Sequence, residues 1–389
     1  MTETVRGFVD YIGEEAEKRE IVRRKIEDIF KLYGFEPAET PIIEFEEFVK
    51  GDNEYDEAVS NIFKLRDKGE RSLALRYEFT FQLKRIAKNK KLPYKRYQIG
   101  PVFRDEPVAS NRFRQITQCD VDIIGSTIKD EAEVLATINK ICQEFKIEAE
   151  IQVNSRKLMN SVIKSAGIEN AEYVLRQIDK IDRQGEDAVK LEMTKFIDKD
   201  KIIKLFRILQ KPLSFFKKYS GYSEIKELIE TSALYGIKPV FKPTLARGLS
   251  YYNGNIFEVK GRGMKETIAG GGSFSVNGMQ SFGYSTGLER LTQLAKVSVS
   301  EKKVLIINIG QDEKSIKLAE KLRKNKVIVS LWTDKGISRA LEYANSYNIS
   351  KVIFIGAEEV KKRKLKLRDM KTGKEEMLSE RELLERIIK

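Results

Sequence analysis

The chain of 389 residues contains no histidine, two cysteines and one tryptophan. Without an imidazole there can be no Ser-His-Asp triad, no Cys-His pair, no histidine general base and no histidine-ligated zinc. Any catalysis must run on carboxylates, arginine, lysine, tyrosine or groups of the substrate. Cys119 and Cys142 form no CxxC pair and cannot provide a disulfide framework or a four-ligand metal site. A reducing cytoplasm is therefore the expected compartment, and no protein metal site is expected. No run of about 18 apolar residues occurs, so no membrane span is expected. The first twenty residues mix acids with bases and lack the apolar stretch of an export signal.

Charge, by contrast, is abundant. There are 72 Lys+Arg against 59 Asp+Glu, a net +13, and 41% hydrophobic residues, enough to fill the cores of two or three domains. Residues 301–389 hold 22 basic and 14 acidic residues, so an excess of eight lies in that last segment. A polyanionic partner and a lysine-rich solvated surface are both compatible with this balance.

The order of patterns suggests a split core. Apolar residues at helical spacing, closed by Gly34, predict a helix over 14–33, and a second helix is expected over 79–89. The runs YKRYQIGPVFRDE and RFRQITQCDVDIIG, separated by a loop, predict a long antiparallel hairpin. A helix at 130–145 and a strand at 148–153 follow. Charged, helix-length stretches occupy 155–235, and strand chemistry returns at 238. After a polar linker, 304–389 alternates strands with helices, an α/β pattern whose first strands should be parallel.

Five arginines stand beside strand-like or glycine-rich segments: Arg104, Arg112, Arg114, Arg247 and Arg290. A half-buried arginine needs an anion, and several converging on a sheet would suit a polyphosphate. Each could equally pair with a neighbouring carboxylate, Arg104 with Asp105 or Glu106 and Arg290 with Glu289. The triplet Gly270-Gly271-Gly272 lacks P-loop spacing and reads either as a close approach to ligand or as a turn or bulge. Gln118, Asp120 and Asp122 share one strand face, either a polar slot or a solvent-facing edge, and Tyr251-Tyr252 beside Arg247 offers hydroxyls.

Three segments, QIGPVFRDE with RFRQITQCDVDIIG, LARGLSYYNGNIFEV, and FGYSTGLERL, together resemble a class II aminoacyl-tRNA synthetase, the histidyl-tRNA synthetase family in particular. The first and last look like class II motifs 2 and 3; the middle one is the most specific to the histidyl group. LRYEFT at 75–80 is similar to the family's LRPE-x-T segment. The resemblance implies an α+β fold: an antiparallel class II sheet core with helices (1–154 and 236–298), a helical insertion (155–235) and a C-terminal α/β anticodon-binding domain (301–389). It implies an ATP-dependent ligase that forms histidyl-adenylate and charges tRNA(His), as a homodimer, with Mg²⁺ arriving with ATP.

Residue by residue, the resemblance implies catalytic roles for Arg247 and Arg104 and a nucleotide site of Arg104, Arg112, Arg290 and Glu106. It implies a histidine slot of Glu78, Thr80, Gln118, Asp122, Arg247, Tyr251 and Tyr252. The departures are Ser250 where the family usually has Asp, Ser273 and Ser275 for an Arg and an Asp, Phe274 for a Tyr, and Ile116 where an aromatic is expected against adenine. The alternative is a non-catalytic paralogue that senses histidine as the regulatory subunit of ATP phosphoribosyltransferase. Such paralogues generally stop near motif 3.

Overall fold

Alternation of apolar and polar side chains is what lets one sheet cover a core and floor a site at once. In the computed structural model, which describes residues 3–51, 57–108, 113–247, 251–262, 267–299, 303–333 and 336–388, the hairpin strands Tyr94–Phe103 and Gln115–Ile124 pair antiparallel along their full length. They lie in an eight-stranded sheet in the order Glu36–Pro37, Tyr94–Phe103, Gln115–Ile124, Met279–Gly287, Thr267–Val276, Asn255–Gly261, Ala149–Ser155, Val240–Phe241. The two-residue strands at its edges pair parallel with their neighbours, and the other pairs are antiparallel.

One face is apolar. Tyr97, Cys119, Val121, Ile123, Phe257, Val259, Phe282 and Tyr284 share a core with Ile26 and Phe30 of the helix Gly13–Leu32, Leu135 and Ile138 of Ile128–Glu144, and Leu291 of Leu288–Leu294. Each such buried aliphatic or aromatic side chain contributes about 1.5–3 kcal/mol relative to exposure. The helix Ile128–Glu144 begins at a capping box, in which Thr127 Oγ1 accepts from Asp130 N and the Asp130 carboxylate accepts from Thr127 N. The helix Gly13–Leu32 stops where Gly34 takes φ +77°.

The helix expected over 79–89 is reduced to Leu83–Ile86. Its flanks are bonded mostly three residues back, as in Leu83 N to Thr80 O and Lys84 N to Phe81 O. The reason is burial: Phe79, Phe81, Gln82 and Leu83 are all buried, more directions than one helix face can serve. Gln82 Nε2 donates to Pro41 O at 2.9 Å and to Glu44 Oε1 at 2.8 Å, which ties this turn to the preceding segment.

Between 156 and 234 the chain is helical, with N-caps supplied by Ser155, Asn170 and Asp198. Leu158, Val162, Leu175, Val189, Ile202 and Phe206 from these helices join the same apolar core as the sheet. Residues 1–297 form one unit and 298–389 another. The second holds a five-stranded sheet in the order Ile328–Trp332, Lys303–Asn308, Lys351–Ile355, Leu365–Asp369, Glu375–Leu378. Its first three strands are parallel, as expected, and the last two antiparallel. Among the described residues no helix is long and apolar enough to cross a membrane.

Candidate active site

The opposite face of the large sheet is polar, and strand register arranges it in rows. One row runs Arg96, Asp122, Gly283, Gly272; the next runs Gln98, Asp120, Ser285, Gly270, Glu258. The polar positions of QITQCDVD therefore lie in the middle of the sheet, not on a solvent-facing edge, and Gln118, Asp120 and Asp122 are each 4–5% exposed.

Above these rows lies a cavity of about 760 Å³ lined by Glu78, Thr80, Arg104, Glu106, Gln118, Asp122, Arg247, Tyr251, Tyr252 and Arg290. Ten of the eleven side chains expected at the site are thus brought together, although they come from four separated stretches of chain. Arg112 and Ser250 lie outside the described residues. Ile116 lines the same cavity with Phe113 beside it.

Among the described residues Arg104 and Arg290 do not pair with their sequence neighbours. Glu289 instead accepts from Arg19 Nη2 at 2.9 Å and from Thr117 N at 3.0 Å, while Arg290 donates to Thr267 O. Asp105 pairs with Arg114 at 3.1 Å, and Arg104 Nε donates to Tyr77 O at 3.2 Å. These contacts hold Arg104 and Arg290 through backbone carbonyls, which do not cancel charge as a carboxylate would.

Arg247 lies across Gly270. A Cβ at Gly270 would stand 1.9 Å from Arg247 Nη1, so the glycine is there for close approach of a side chain and not for a turn. Arg247 Nη1 also meets Glu258 Oε1 at 3.0 Å, and its Cζ is 5.7 Å from the Tyr252 ring centroid. Gly283 serves Asp122 in the same way: a Cβ there would fall 2.1 Å from Asp122 Oδ1. Gly270 and Gly283 are spaces for the site's side chains, whereas Gly271 and Gly272 stand against the backbone of neighbouring strands.

Three contributors were missed by sequence reasoning, and a fourth, Asp120, was placed on the polar strand face but given no role. Arg96 is fully buried, with Nη2 2.6 Å from Asp122 Oδ2; the signal was available, since an antiparallel hairpin in this register sets Arg96 opposite Asp122. Arg183 and Glu258 line the cavity, Arg183 coming from the helical stretch Ile181–Gln184. Asp120 lines it too and is the most perturbed carboxyl there. Burial pushes Asp120 up to about 8, opposed by Arg96 and reinforced by Asp122. Burial raises Asp122 to about 6, with Arg96 again opposing. Burial also lifts the Tyr251 and Tyr252 hydroxyls, which stay protonated donors at neutral pH.

Two of the substituted residues, Ser273 and Phe274, have structural partners. Ser273 points to the helix side, where its Oγ donates to Glu131 Oε1 at 2.8 Å. Phe274 lines the cavity and packs edge-on against Tyr251 at 5.9 Å. Among the described residues no group of three or more Asp, Glu or Cys side chains is placed to hold a metal. Glu106, which lines the cavity with Arg104 and Arg290, could contribute one carboxylate to a cation otherwise carried on phosphate oxygens.

Residues 7–291 match the family model described as Histidyl-tRNA synthetase, and residues 303–389 match that described as Anticodon binding domain. Histidine--tRNA ligase 1 of Bacillus cereus is 33% identical over 412 residues, covering 95% of this chain and 96% of that protein. The crystal structure of histidyl-tRNA synthetase from Nostoc sp. PCC 7120 superposes with a TM-score of 0.86 at 24% identity, over 100% of this chain and 99% of that one. An ATP phosphoribosyltransferase regulatory subunit/histidyl-tRNA synthetase from Bacillus halodurans gives a TM-score of 0.79 at 20% identity, over 92% and 99%. At these identities the two structures speak to the fold.

Proposed function

The chain belongs to the histidyl-tRNA synthetase family, and on that premise we propose that it is an ATP-dependent histidine–tRNA ligase with its chemistry on the polar face of the large sheet. The observation that carries the reading is the convergence of Arg104, Arg247 and Arg290 on one cavity whose other side is a floor of buried carboxylates. The first suits an anionic nucleotide and the second a cationic amino acid.

In this reading Glu78 and Thr80 hold the α-ammonium group, and Gln118, Asp122, Tyr251 and Tyr252 surround the imidazole. Arg247 holds the substrate carboxylate against the α-phosphate, and Arg104 takes the charge that grows on the α-phosphate oxygens. Arg290, Arg112 and Glu106 position the rest of the nucleotide. The histidine carboxylate attacks the α-phosphorus in line and pyrophosphate leaves, so the protein's contribution is positioning and charge stabilisation, and no side-chain base is required. Mg²⁺ bound to the phosphates would neutralise charge on the departing pyrophosphate. In the second step the terminal ribose hydroxyl of tRNA(His) attacks the adenylate, with an adenylate phosphate oxygen as proton acceptor.

Residues 303–389 are the part that would read the anticodon. We place the protein in the cytoplasm and divide it at 154, 235 and 298–301, as the motif order suggests. A second copy of the chain is the expected partner; Ile43–Phe45, the edge strand of a three-stranded sheet with Ser72–Leu75 and Lys64–Arg66, has Ile43 and Phe45 half exposed, which supports such a contact. The regulatory alternative is disfavoured by the retained arginines and by the anticodon-binding segment. ATP–pyrophosphate exchange across the standard amino acids, followed by charging of total tRNA, tests the reading. Exchange with histidine alone and charging of tRNA(His) are expected; no exchange by folded protein would return the regulator.

A further inference from the structure

Among the described residues the helical segment 156–234 reaches the cavity with one side chain, Arg183. The turn that carries it is fastened on several sides. Ile178 is buried in the main apolar core and Ile181 packs against it. At the start of the preceding helix, Ala171–Ile178, Glu172 pairs with the buried Arg156, whose Nη1 donates to Arg247 O at 3.2 Å. Beside Arg183, the Asp182 carboxylate forks: one oxygen takes Lys242 Nζ at 3.4 Å and the other takes Lys260 Nζ. Lys260 stands two residues beyond Glu258 on the strand Asn255–Gly261 and so shares its face, with Lys260 Nζ 3.9 Å from Glu258 Oε2. Glu258 in turn holds Arg247. The helical segment is thus tied to the surroundings of Arg247 twice, once through its backbone and once through the sheet.

What Arg183 brings to the cavity is charge that no neighbour has taken up. Arg247 already faces Glu258 at 3.0 Å, and the Asp182 carboxylate is occupied by two lysines. Asp179 lies four residues before Arg183, yet the two form no ion pair. Burial raises the Asp179 carboxyl, with Arg247 and Arg183 opposing, so both guanidinium groups stand around one half-buried acid. A guanidinium fork accepts a phosphate through two parallel hydrogen bonds. We propose that Arg183 is a further substrate-binding arginine, delivered by the helical segment, which takes a phosphate group in the cavity beside Arg247, and that Asp182 is the positioning residue that aims it.

The inference rests on the ligase reading above. In that reaction a phosphate reaches this place from two sources: the nucleotide, whose outer phosphates leave as pyrophosphate, and the 3′ end of the tRNA, whose last phosphodiester arrives with the attacking ribose hydroxyl. Arg183 is exposed, and its replacement leaves Ile178, Ile181 and the Asp182 fork in place. Its loss should therefore register in the reaction and not in folding.

The test uses the full-length protein as Arg183→Gln, Asp182→Asn and the two together, with the two steps read separately. One assay is histidine-dependent ATP–pyrophosphate exchange; the other is single-turnover transfer from preformed histidyl-adenylate to tRNA(His). Arg183→Gln should lower at least one step by about tenfold or more, the loss expected for a hydrogen bond to a charged group, with the melting temperature and the KM for histidine unchanged. Arg183→Lys should recover part of that loss, since it keeps the charge without the fork. Asp182→Asn should slow the same step by about threefold or more and add nothing once Arg183 is Gln, because it acts through Arg183. A loss in exchange with a raised KM for ATP or pyrophosphate assigns the phosphate to the nucleotide; a loss confined to transfer assigns it to the tRNA end. Both steps within about twofold of wild type in Arg183→Gln would overturn the inference, as would a loss that follows a lowered melting temperature. Losses that multiply in the double variant would strike out the role of Asp182. Absence of histidine-dependent exchange in the wild type would instead overturn the ligase reading, and this inference with it.

Discussion

Replacing Gly270 by alanine should disable Arg247 without unfolding the protein. The added Cβ would lie 1.9 Å from Arg247 Nη1 and 2.8 Å from its Cζ, where an ordinary contact needs about 3.5 Å. The guanidinium must therefore move by roughly 1.5 Å, out of register with Glu258, its partner at 3.0 Å. What is displaced is the end of a flexible side chain, and alanine is favoured over glycine in a strand by roughly 0.5–1 kcal/mol. Folding should tolerate the change. Catalysis should not, because misplacing a positioning group by about 1 Å costs on the order of 100-fold, or about 2.7 kcal/mol of activation free energy. The assay is kcat/KM for histidine-dependent ATP–pyrophosphate exchange in Gly270→Ala, Arg247→Ala and the double variant, with thermal melting of each. The double variant should be no worse than Arg247→Ala, since both changes remove the same interaction. Multiplicative losses in the double variant, or a Gly270→Ala enzyme within threefold of wild type, would refute the placement of Arg247 across Gly270.

Arg96→Met should cost about 3–5 kcal/mol in urea unfolding at pH 7.5, because it strands the buried Asp122. The loss should shrink at pH 5, where Asp122 and Asp120, raised to about 6 and about 8, carry protons; an equal loss at both pH values would contradict the charge argument. Glu131 accepts from Asn255 Nδ2 at 2.7 Å and Ser273 Oγ at 2.8 Å, and burial raises it from 4.5 to about 7. Its folded-state value lies above its unfolded one, so its contribution is full below about pH 4.5 and is lost as pH rises through 7. Glu131→Gln should therefore flatten the fall in melting temperature between pH 5 and 8, and an unchanged slope would show that Glu131 is not the group responsible. Binding of tRNA(His) should weaken linearly on a log–log salt plot with a slope steeper than about −3, as expected if several phosphates are neutralised; a flat plot would mean the basic surplus is only a solvated surface.

Much of the fold was legible because its signals are local. Period-two alternation marked the hairpin, helical spacing marked Gly13–Leu32 and Ile128–Glu144, and strand-helix alternation marked the parallel start of the second sheet. The segment 79–89 failed because its apolar residues serve several neighbours at once, so spacing along the chain did not describe its surroundings. The site was legible as a set of residues and not as a geometry. Arg104, Arg247 and Arg290 could be singled out, yet only the fold pairs Glu289 with Arg19 and Asp105 with Arg114 and sets Arg104 and Arg290 on backbone carbonyls.

Sequence alone determined which chemistries were closed to this protein, since a chain without histidine cannot make an imidazole base in any fold. It also determined which residue types were available in their place, and the motif spacing that marks the family. Only the tertiary structure decided which side chains share a dielectric. Arg96, Asp120 and Asp122 are ordinary charged residues in an extended chain. Register across two strands places them in one buried row and its neighbour, where losing water raises the carboxyls, one arginine must serve two acids, and Gly283 in the adjoining strand leaves room for Asp122. Burial and cross-strand distance are properties of the folded sheet, and they turn a list of charged residues into one cavity with arginines on its wall and buried carboxylates on its floor.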